Sequence, residues 1–184
     1  MTTAPSIFLV GMMGAGKSTI GRLLADAIGF EFIDADRELE ARSGVPVPTI
    51  FEIEGEAGFR RREAALLDEL TLQPGVVLAT GGGAVLEPLT RQRLRERGLV
   101  IYLRTSADEV HRRTRRDKNR PLLRTGNPRE RIEQLLTERE PLYEEVAHVT
   151  VQSAASNPKK LLQRLVAHPE VRAVAELAAQ PGAE

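Results

Sequence analysis

The sequence Gly-Met-Met-Gly-Ala-Gly-Lys-Ser at residues 11–18 constrains the fold more than any other feature of the chain. It follows a short apolar run at residues 6–10 and has the spacing G-x-x-x-x-G-K-[ST] between a predicted strand and a predicted helix. Glycines let consecutive backbone N–H groups curl around phosphate oxygens, because no Cβ stands in the way. The pattern therefore predicts a nucleotide phosphate site, in which Lys17 reaches the β- and γ-phosphates and Ser18 offers its hydroxyl oxygen to Mg²⁺.

The residues around this loop favour a phosphate site over a simple glycine-rich turn. Only four of the 26 basic residues are lysines, and one of the four stands at the required position. The start of the following helix adds its dipole and its unpaired N–H groups to the anion site. The predicted ATP-binding residues of this segment are Gly14, Ala15, Gly16, Lys17, Ser18 and Thr19.

Apolar, β-branched segments alternate with segments of helical periodicity along the chain. The predicted strands are residues 6–10, 31–33, 76–79, 99–103 and 148–151. The predicted helices are residues 17–28, 56–72, 88–97, 106–115, 128–146 and 158–167, and the two prolines within residues 44–48 break this rhythm. Such alternation predicts an α/β fold with three layers, α/β/α, around a central five-stranded parallel sheet.

Length and composition limit the classes of protein that the chain can belong to. A chain of 184 residues is long enough for one domain, 1–184, with a substantial core. The 26 acidic and 26 basic residues balance, which argues against a nucleic-acid partner. The chain has no cysteine and no apolar run near the ~20 residues of a membrane span, so we expect a cytoplasmic protein without disulfides or a membrane partner. No heptad or apolar patch is readable, so we expect a monomer.

Two carboxylates follow the second predicted strand, at Asp34 and Asp36. Ligands of parallel sheets gather at the carboxyl ends of the strands. If the strand continued, its two-residue alternation would place both side chains on one side, one near Mg²⁺ and one near an acceptor hydroxyl. The alternative is that Asp36 only caps a short helix at residues 37–42.

Two segments lie outside the regular alternation of strands and helices. Residues 113–127 are charged, are punctuated by glycine and proline, and are predicted to form a mobile lid. After Ala167 the sequence allows one more helix, and we expect a loose end within residues 168–184.

Six motifs together resemble the shikimate kinase family, from about Ile7 to Pro158. They are GMMGAGKSTIGR, FIDAD, EAGFRRRE, ATGGGAV, RPLL and R-x-PLYEEVA, in the order of that family. The resemblance implies transfer of the ATP γ-phosphate to the 3-hydroxyl of shikimate, with one Mg²⁺ ion, in the pathway to chorismate and aromatic amino acids.

The resemblance also assigns roles to residues of the acceptor site, which we expect within about residues 34–62 and their neighbours. Asp36 would bind and deprotonate the attacking hydroxyl, and Asp34 would hold Mg²⁺ together with Ser18. Arg60 and Arg139 would clamp the shikimate carboxylate. The backbone of the glycine turn would approach the ring hydroxyls at Gly81, Gly82 and Gly83.

On the nucleotide side, the resemblance implies that Arg120 of the lid closes over the phosphates as a catalytic residue with Lys17 and Asp36. Arg113 and Pro158 would sandwich the adenine. The family commonly has an arginine near this proline, whereas Lys159 follows it here.

The chemistry of the residues agrees with these roles but leaves alternatives open. Two arginine forks suit one carboxylate, and three consecutive glycines after a strand indicate a close approach by another group. Arg60 stands beside Arg61 and Arg62, however, so a solvated basic helix face is the alternative. Arg139 lies in a segment of alternating charge, where most arginines are on the surface.

Three other functions remain open from the sequence. A related kinase for another hydroxy acid, such as gluconate, would keep the phosphate loop but need other acid-binding residues. A nucleoside monophosphate kinase needs a second base pocket, and aromatic residues make up only 4% of this chain. A non-catalytic ATP-binding module would not need Asp36 or Arg120.

Overall fold

Five strands form one parallel sheet in the computed structural model, which describes residues 5–117, 121–153 and 157–179. The order across the sheet is β2-β3-β1-β4-β5. The strands are β1 (Ser6–Val10), β2 (Glu31–Asp34), β3 (Val76–Ala79), β4 (Gly98–Arg104) and β5 (Val149–Gln152). All five predicted strands are confirmed, with bounds that differ by one residue at most at each end.

The strands carry apolar side chains on both faces because helices cover both faces of the sheet. In β1, Phe8 and Val10 point into one core, whereas Ile7 and Leu9 point into the other. All four side chains are fully buried. This two-sided burial explains why β1 has a continuous apolar sequence rather than an alternating one.

Eight helices lie on the two faces in the described part of the chain. They are α1 (Lys17–Ile28), α2 (Ala35–Ser43), α3 (Val47–Leu70), α4 (Pro88–Arg97), α5 (Ala107–Thr114), α6 (Pro128–Val146), α7 (Pro158–Val166) and α8 (Pro169–Ala179). Helices α1, α7 and α8 bury side chains in the core of Ile7, and α2 to α6 bury theirs in the core of Phe8. The predicted three-layer α/β/α architecture is thereby confirmed.

The segment around the two prolines at positions 46 and 48 differs from the prediction. We expected a break at residues 44–48 and a helix from residue 56, but α2 ends at Ser43 and α3 already begins at Val47. Pro48 is tolerated in the first turn of α3, because the first N–H groups of a helix have no acceptor within it. The interruption comes later, at Gly55, whose φ of 70° and ψ of 180° divide α3 into two helical parts.

The helix that the sequence allows after Ala167 is α8. Its Val171 and Val174 are buried in the same core as α1 and α7. Residues 180–184 lie outside the described residues, and the bounds given above for the lid, the acceptor region and the tail remain predictions.

His148 fastens the start of β5 to β4 with two hydrogen bonds. Its backbone N–H donates to the Val100 carbonyl at 2.9 Å, and its Nδ1 accepts the Val100 N–H at 3.0 Å. Protonation of Nδ1 would abolish the second bond, because an imidazolium has no acceptor. Desolvation of the ring, followed by the positive charge of Arg95, lowers the pKa of His148 below its ordinary value.

We therefore expect the stability to fall as the pH drops below about 6.5, because the unfolded chain then binds the His148 proton more readily than the folded chain. His148→Asn keeps a side-chain oxygen that can accept the Val100 N–H but cannot titrate. Urea unfolding between about pH 7.5 and pH 5 should show wild type losing stability relative to this variant. A difference that stays constant with pH would contradict the assignment.

Candidate functional site

The loop after β1 has the backbone that a phosphate site requires. Gly11, Gly14 and Gly16 have φ values of 142°, 73° and 91°, which L-residues with a side chain rarely adopt. A Cβ on Gly11 would also stand 2.7 Å from the Leu103 carbonyl oxygen at the end of β4. The glycines are thus required both by the loop conformation and by its contact with the sheet.

Lys17, the first residue of α1, folds back over this loop. Its side chain is 8% exposed, and its Nζ donates to the carbonyls of Gly11 at 2.7 Å and Met12 at 2.9 Å. The ammonium therefore lies at the rim of a pocket lined by Gly14, Gly16, Ser18, Thr19, Asp34, Asp36, Arg37 and Thr80, among others. This pocket brings together the predicted phosphate, metal and acceptor groups.

Asp34, at the end of β2, has two contacts that were not both expected. Its Oδ2 accepts the Ser18 hydroxyl at 2.5 Å, and its Oδ1 accepts the backbone N–H groups of Asp36 and Arg37. Asp34 is therefore the N-cap of α2, and the suggestion that Asp36 has this role is wrong. The expected continuation of β2 through Asp36 is wrong as well, because Asp36 already lies in the first turn of α2.

Ser18 and Asp34 are a suitable pair for Mg²⁺. Both offer oxygen atoms, and Mg²⁺ prefers oxygen ligands, usually one or two from the protein with the remainder from phosphates and water. Within the described ranges, no group of three or more His, Asp or Glu side chains could hold a metal alone. The site fits an ion that arrives with a nucleotide.

A second cleft of about 390 Å³ adjoins the phosphate pocket and shares Met13, Asp36 and Gly82 with it. This volume is in the lower part of the range for small-molecule sites. The polar residues that line this acceptor cleft are Asp36, Glu40, Arg60, Glu63, Arg139 and those of the glycine turn. The apolar residues that line it are Met13, Pro46, Val47, Pro48, Phe51, Phe59, Pro121 and Leu122. Such a cleft suits a small acid with one hydrophobic face.

Arg139 projects from α6 into the acceptor cleft and is only 1% exposed. Its Nε and Nη1 make no hydrogen bond with the described residues. The alternative of a surface arginine is therefore wrong. A buried guanidinium with open donors is costly unless an anion completes its hydrogen bonds, so its position favours a carboxylate ligand.

Arg60 also lines the cleft and is paired with two glutamates. Its Nη1 contacts Glu63 at 2.6 Å and its Nη2 contacts Glu56 at 3.3 Å. The side chain is 19% exposed, so Arg60 is not part of a solvated face, whereas Arg62 turns away and pairs with Glu54 across Gly55.

Glu63 lines the acceptor cleft and was not predicted from the sequence. It is 4% exposed, lies in the acceptor cleft, and leaves Oε1 without a hydrogen bond from the described residues. Its burial raises the pKa of the carboxyl, and the charge of Arg60 opposes that rise. The available signal was its position three residues after Arg60, which places both on one helix face.

The three glycines after β3 make room for the chain's own side chains. A Cβ on Gly81 would approach Asp36 Oδ1 at 3.1 Å and overlap Glu63, and one on Gly83 would overlap the Arg60 guanidinium. A Cβ on Gly82 would stand 3.2 Å from the Met13 nitrogen. The charged side chains of the cleft therefore pack directly against the backbone of the glycine turn.

A third cleft, on the far side of the phosphate loop, contains both predicted adenine contacts, Arg113 and Pro158. Arg113 donates to the Gly14 carbonyl at 2.8 Å, and the Ser153 hydroxyl donates to the Ala15 carbonyl at 2.5 Å. Ser153 was not predicted. Arg120 lies outside the described residues.

The fold and the site define a phosphate-loop phosphotransferase for a small acceptor. The shikimate kinase family profile matches residues 13–169. The chain belongs to the shikimate kinase family, whose members are ATP-dependent kinases.

Individual relatives agree with this assignment. A shikimate kinase of Bordetella avium is 60% identical over 160 residues, which cover 87% of this chain and 77% of the relative. One of Thiobacillus denitrificans is 58% identical, with 84% of each chain covered. The structure of the Acinetobacter baumannii shikimate kinase in complex with shikimate has a TM-score of 0.87 and 49% identity, and covers 89% of this chain and 92% of that one.

A gluconokinase of Sinorhizobium meliloti has a TM-score of 0.53 and 20% identity, covers 97% of this chain and 95% of its own, and shares the fold alone. In residues 5–117, 121–153 and 157–179, no helix combines the length and the apolar character that crossing a bilayer requires.

Gly83→Ala should destabilise the protein by about 1 kcal/mol, because the flexible end of Arg60 can move away from the new Cβ but its hydrogen-bonded ion pair with Glu63 is weakened. The backbone is not the cause, since Gly83 has an ordinary φ of −98°. Gly126→Ala is the control, because a Cβ there would meet no atom within 4 Å. Thermal unfolding of the two variants measures the difference, and equal melting temperatures would contradict it.

Proposed function

We propose that the chain binds ATP and shikimate in the two adjoining clefts and transfers the γ-phosphate to the 3-hydroxyl of shikimate. The observation that carries this proposal is the acceptor cleft, where buried Arg139 leaves donors open and Arg60 lines the same cleft. Both arginines lie in the cleft that contains Asp36 and adjoins the phosphate loop. The relatives named shikimate kinase support the same substrate.

The nucleotide would extend along the phosphate loop from the Arg113 cleft to Ser18. Adenine would lie between Arg113 and Pro158. The phosphate oxygens would accept hydrogen bonds from the backbone N–H groups of the loop. Lys17 would turn from the loop carbonyls to the β- and γ-phosphate oxygens. Ser18 and Asp34 would hold Mg²⁺, and the ion would supply positive charge that offsets the charge of the phosphates.

The acceptor would be oriented by charged groups that line its cleft. Arg60 and Arg139 would hold the carboxylate, and Asp36 would accept a hydrogen bond from the attacking hydroxyl, because Asp36 lines both clefts. The Phe51 and Phe59 rings would cover the apolar face of the shikimate ring. Positioning of this kind supplies most of the catalysis in phosphoryl transfer, where the transition state is loose.

Arg120 would complete the site from the lid. The residues that follow it, Pro121 and Leu122, line the acceptor cleft, so a closing lid would bring Arg120 towards the phosphates. The cytoplasmic location and the monomeric state remain predictions from the sequence.

The test is ADP release with Mg·ATP and shikimate, compared with gluconate, AMP and no acceptor. We expect release that depends on shikimate. ADP release without an acceptor, or no release with shikimate, would exclude the proposed function. Release with gluconate instead of shikimate would indicate a gluconokinase.

Asp36→Asn should lower kcat by ~10²-fold or more if Asp36 acts as the base, because an amide cannot take the proton of the hydroxyl. The KM for ATP should change little. Steady-state kinetics with shikimate as the varied substrate measure this change. An unchanged kcat would show that Asp36 is not the base.

Glu63→Gln should raise the KM for shikimate by about tenfold, because the amide oxygen can still accept a hydrogen bond from Arg60 but the buried negative charge that holds the guanidinium in one orientation is lost. Glu56→Gln is the matched control, since Glu56 pairs with the same guanidinium but is 46% exposed. The same kinetic assay should find the control within about twofold of wild type. Equal effects of the two substitutions would show that burial of the pair is irrelevant.

A further inference from the structure

All three carbonyl groups of the glycine turn accept hydrogen bonds, but from different sources. Gly81 accepts the Ala84 N–H at 3.2 Å and Gly83 accepts the Leu86 N–H at 3.0 Å, both within the turn itself. Gly82 instead accepts the hydroxyl of Tyr143 at 2.5 Å, across 61 positions of sequence. The direction of the Gly82 carbonyl therefore depends on a side chain of α6.

Packing holds the Tyr143 ring in place independently of its hydrogen bond to the turn. Its side chain is fully buried and its ring stacks on that of Tyr102, with centroids 5.1 Å apart and an interplanar angle of 27°. Burial raises the pKa of the Tyr143 hydroxyl, so the group remains a protonated donor at every physiological pH. A rigid ring with one fixed donor can hold a peptide group in one orientation.

The orientation matters because a peptide group is planar and trans. The Gly82 carbonyl and the Gly83 N–H point in opposite directions within one plane. Holding the carbonyl towards α6 thus fixes the N–H on the opposite side. Gly82 and Gly83 both line the acceptor cleft, and in the described residues none of the three glycine N–H groups has a hydrogen-bond acceptor.

Glycine makes this external support necessary. Without a Cβ, the turn can adopt many more backbone conformations than other residues can. Gly82 also stands beside Arg139, which precedes Tyr143 by one helical turn on α6. One face of α6 therefore supplies both the Arg139 guanidinium that lines the cleft and the Tyr143 hydroxyl that binds the glycine turn.

We propose that Tyr143 is a positioning residue of the acceptor site: through the Gly82 carbonyl, its hydroxyl orients the glycine-turn N–H groups towards the polar groups of the acceptor. Tyr143 is absent from the cleft lining; its hydroxyl donates to the turn and also interacts with the Arg139 guanidinium beside it. The inference rests on the proposed function, because the acceptor it serves is shikimate.

Tyr143→Phe tests this, since it removes the hydroxyl and keeps the stacked ring. We expect the KM for shikimate to rise about tenfold, whereas kcat and the KM for ATP stay within about twofold. A variant with wild-type KM for shikimate, or with the two KM values raised equally, would overturn the proposal.

Tyr102→Phe is the matched control. It deletes an equally buried hydroxyl from the other ring of the same stack, and that hydroxyl has no hydrogen bond to the glycine turn. We expect it to leave the KM for shikimate near the wild-type value. If both variants raise the KM equally, the cause is core packing, and the positioning role is wrong.

A second measurement uses the wild-type protein and needs no variant to fold. In ¹⁵N-labelled protein without nucleotide, the Gly82 or Gly83 amide resonance should shift on titration with shikimate. Two unmoved resonances, in protein that releases ADP with shikimate, would overturn the proposal and leave the proposed function intact. Protein that shows no shikimate-dependent ADP release would instead exclude the proposed function itself.

Discussion

The site depends on the parallel pairing of β1 with β3 and of β3 with β2. The register places Leu9 opposite Ala79 and Asp34 opposite the same Ala79, so the three strands end at one level. The phosphate loop, Asp34 and the glycine turn therefore begin side by side. Ligands of parallel sheets generally bind at this edge, and the loop, a carboxylate and the glycine turn lie along it here.

The acceptor cleft concentrates charged side chains in a largely buried part of the protein. Arg60, Glu63 and Arg139 are largely or fully buried, and each leaves at least one side-chain atom without a partner in the described residues. Burying such groups costs more than burying apolar side chains of equal volume. The cost is consistent with a site arranged for a charged ligand, in which binding completes hydrogen bonds that folding leaves open.

The parts of this structure that were predictable are those in which local sequence determines local conformation. The phosphate loop and the strands are examples, because glycine spacing and apolar runs act over a few residues. The cap of α2 was assigned wrongly because Asp34 and Asp36 are both good caps, and the end of β2 decides between them. Glu63 and the burial of Arg139 were not predictable from composition, since both depend on how α3 and α6 meet the glycine turn.

The contact of Gly11 with the Leu103 carbonyl has a consequence for synthesis on the ribosome. The loop precedes β4 in the chain, yet the end of β4 lies against it and would support its conformation. A nascent chain that ends before β4 lacks that support. We therefore expect nucleotide to stabilise the loop only after β4 has been translated.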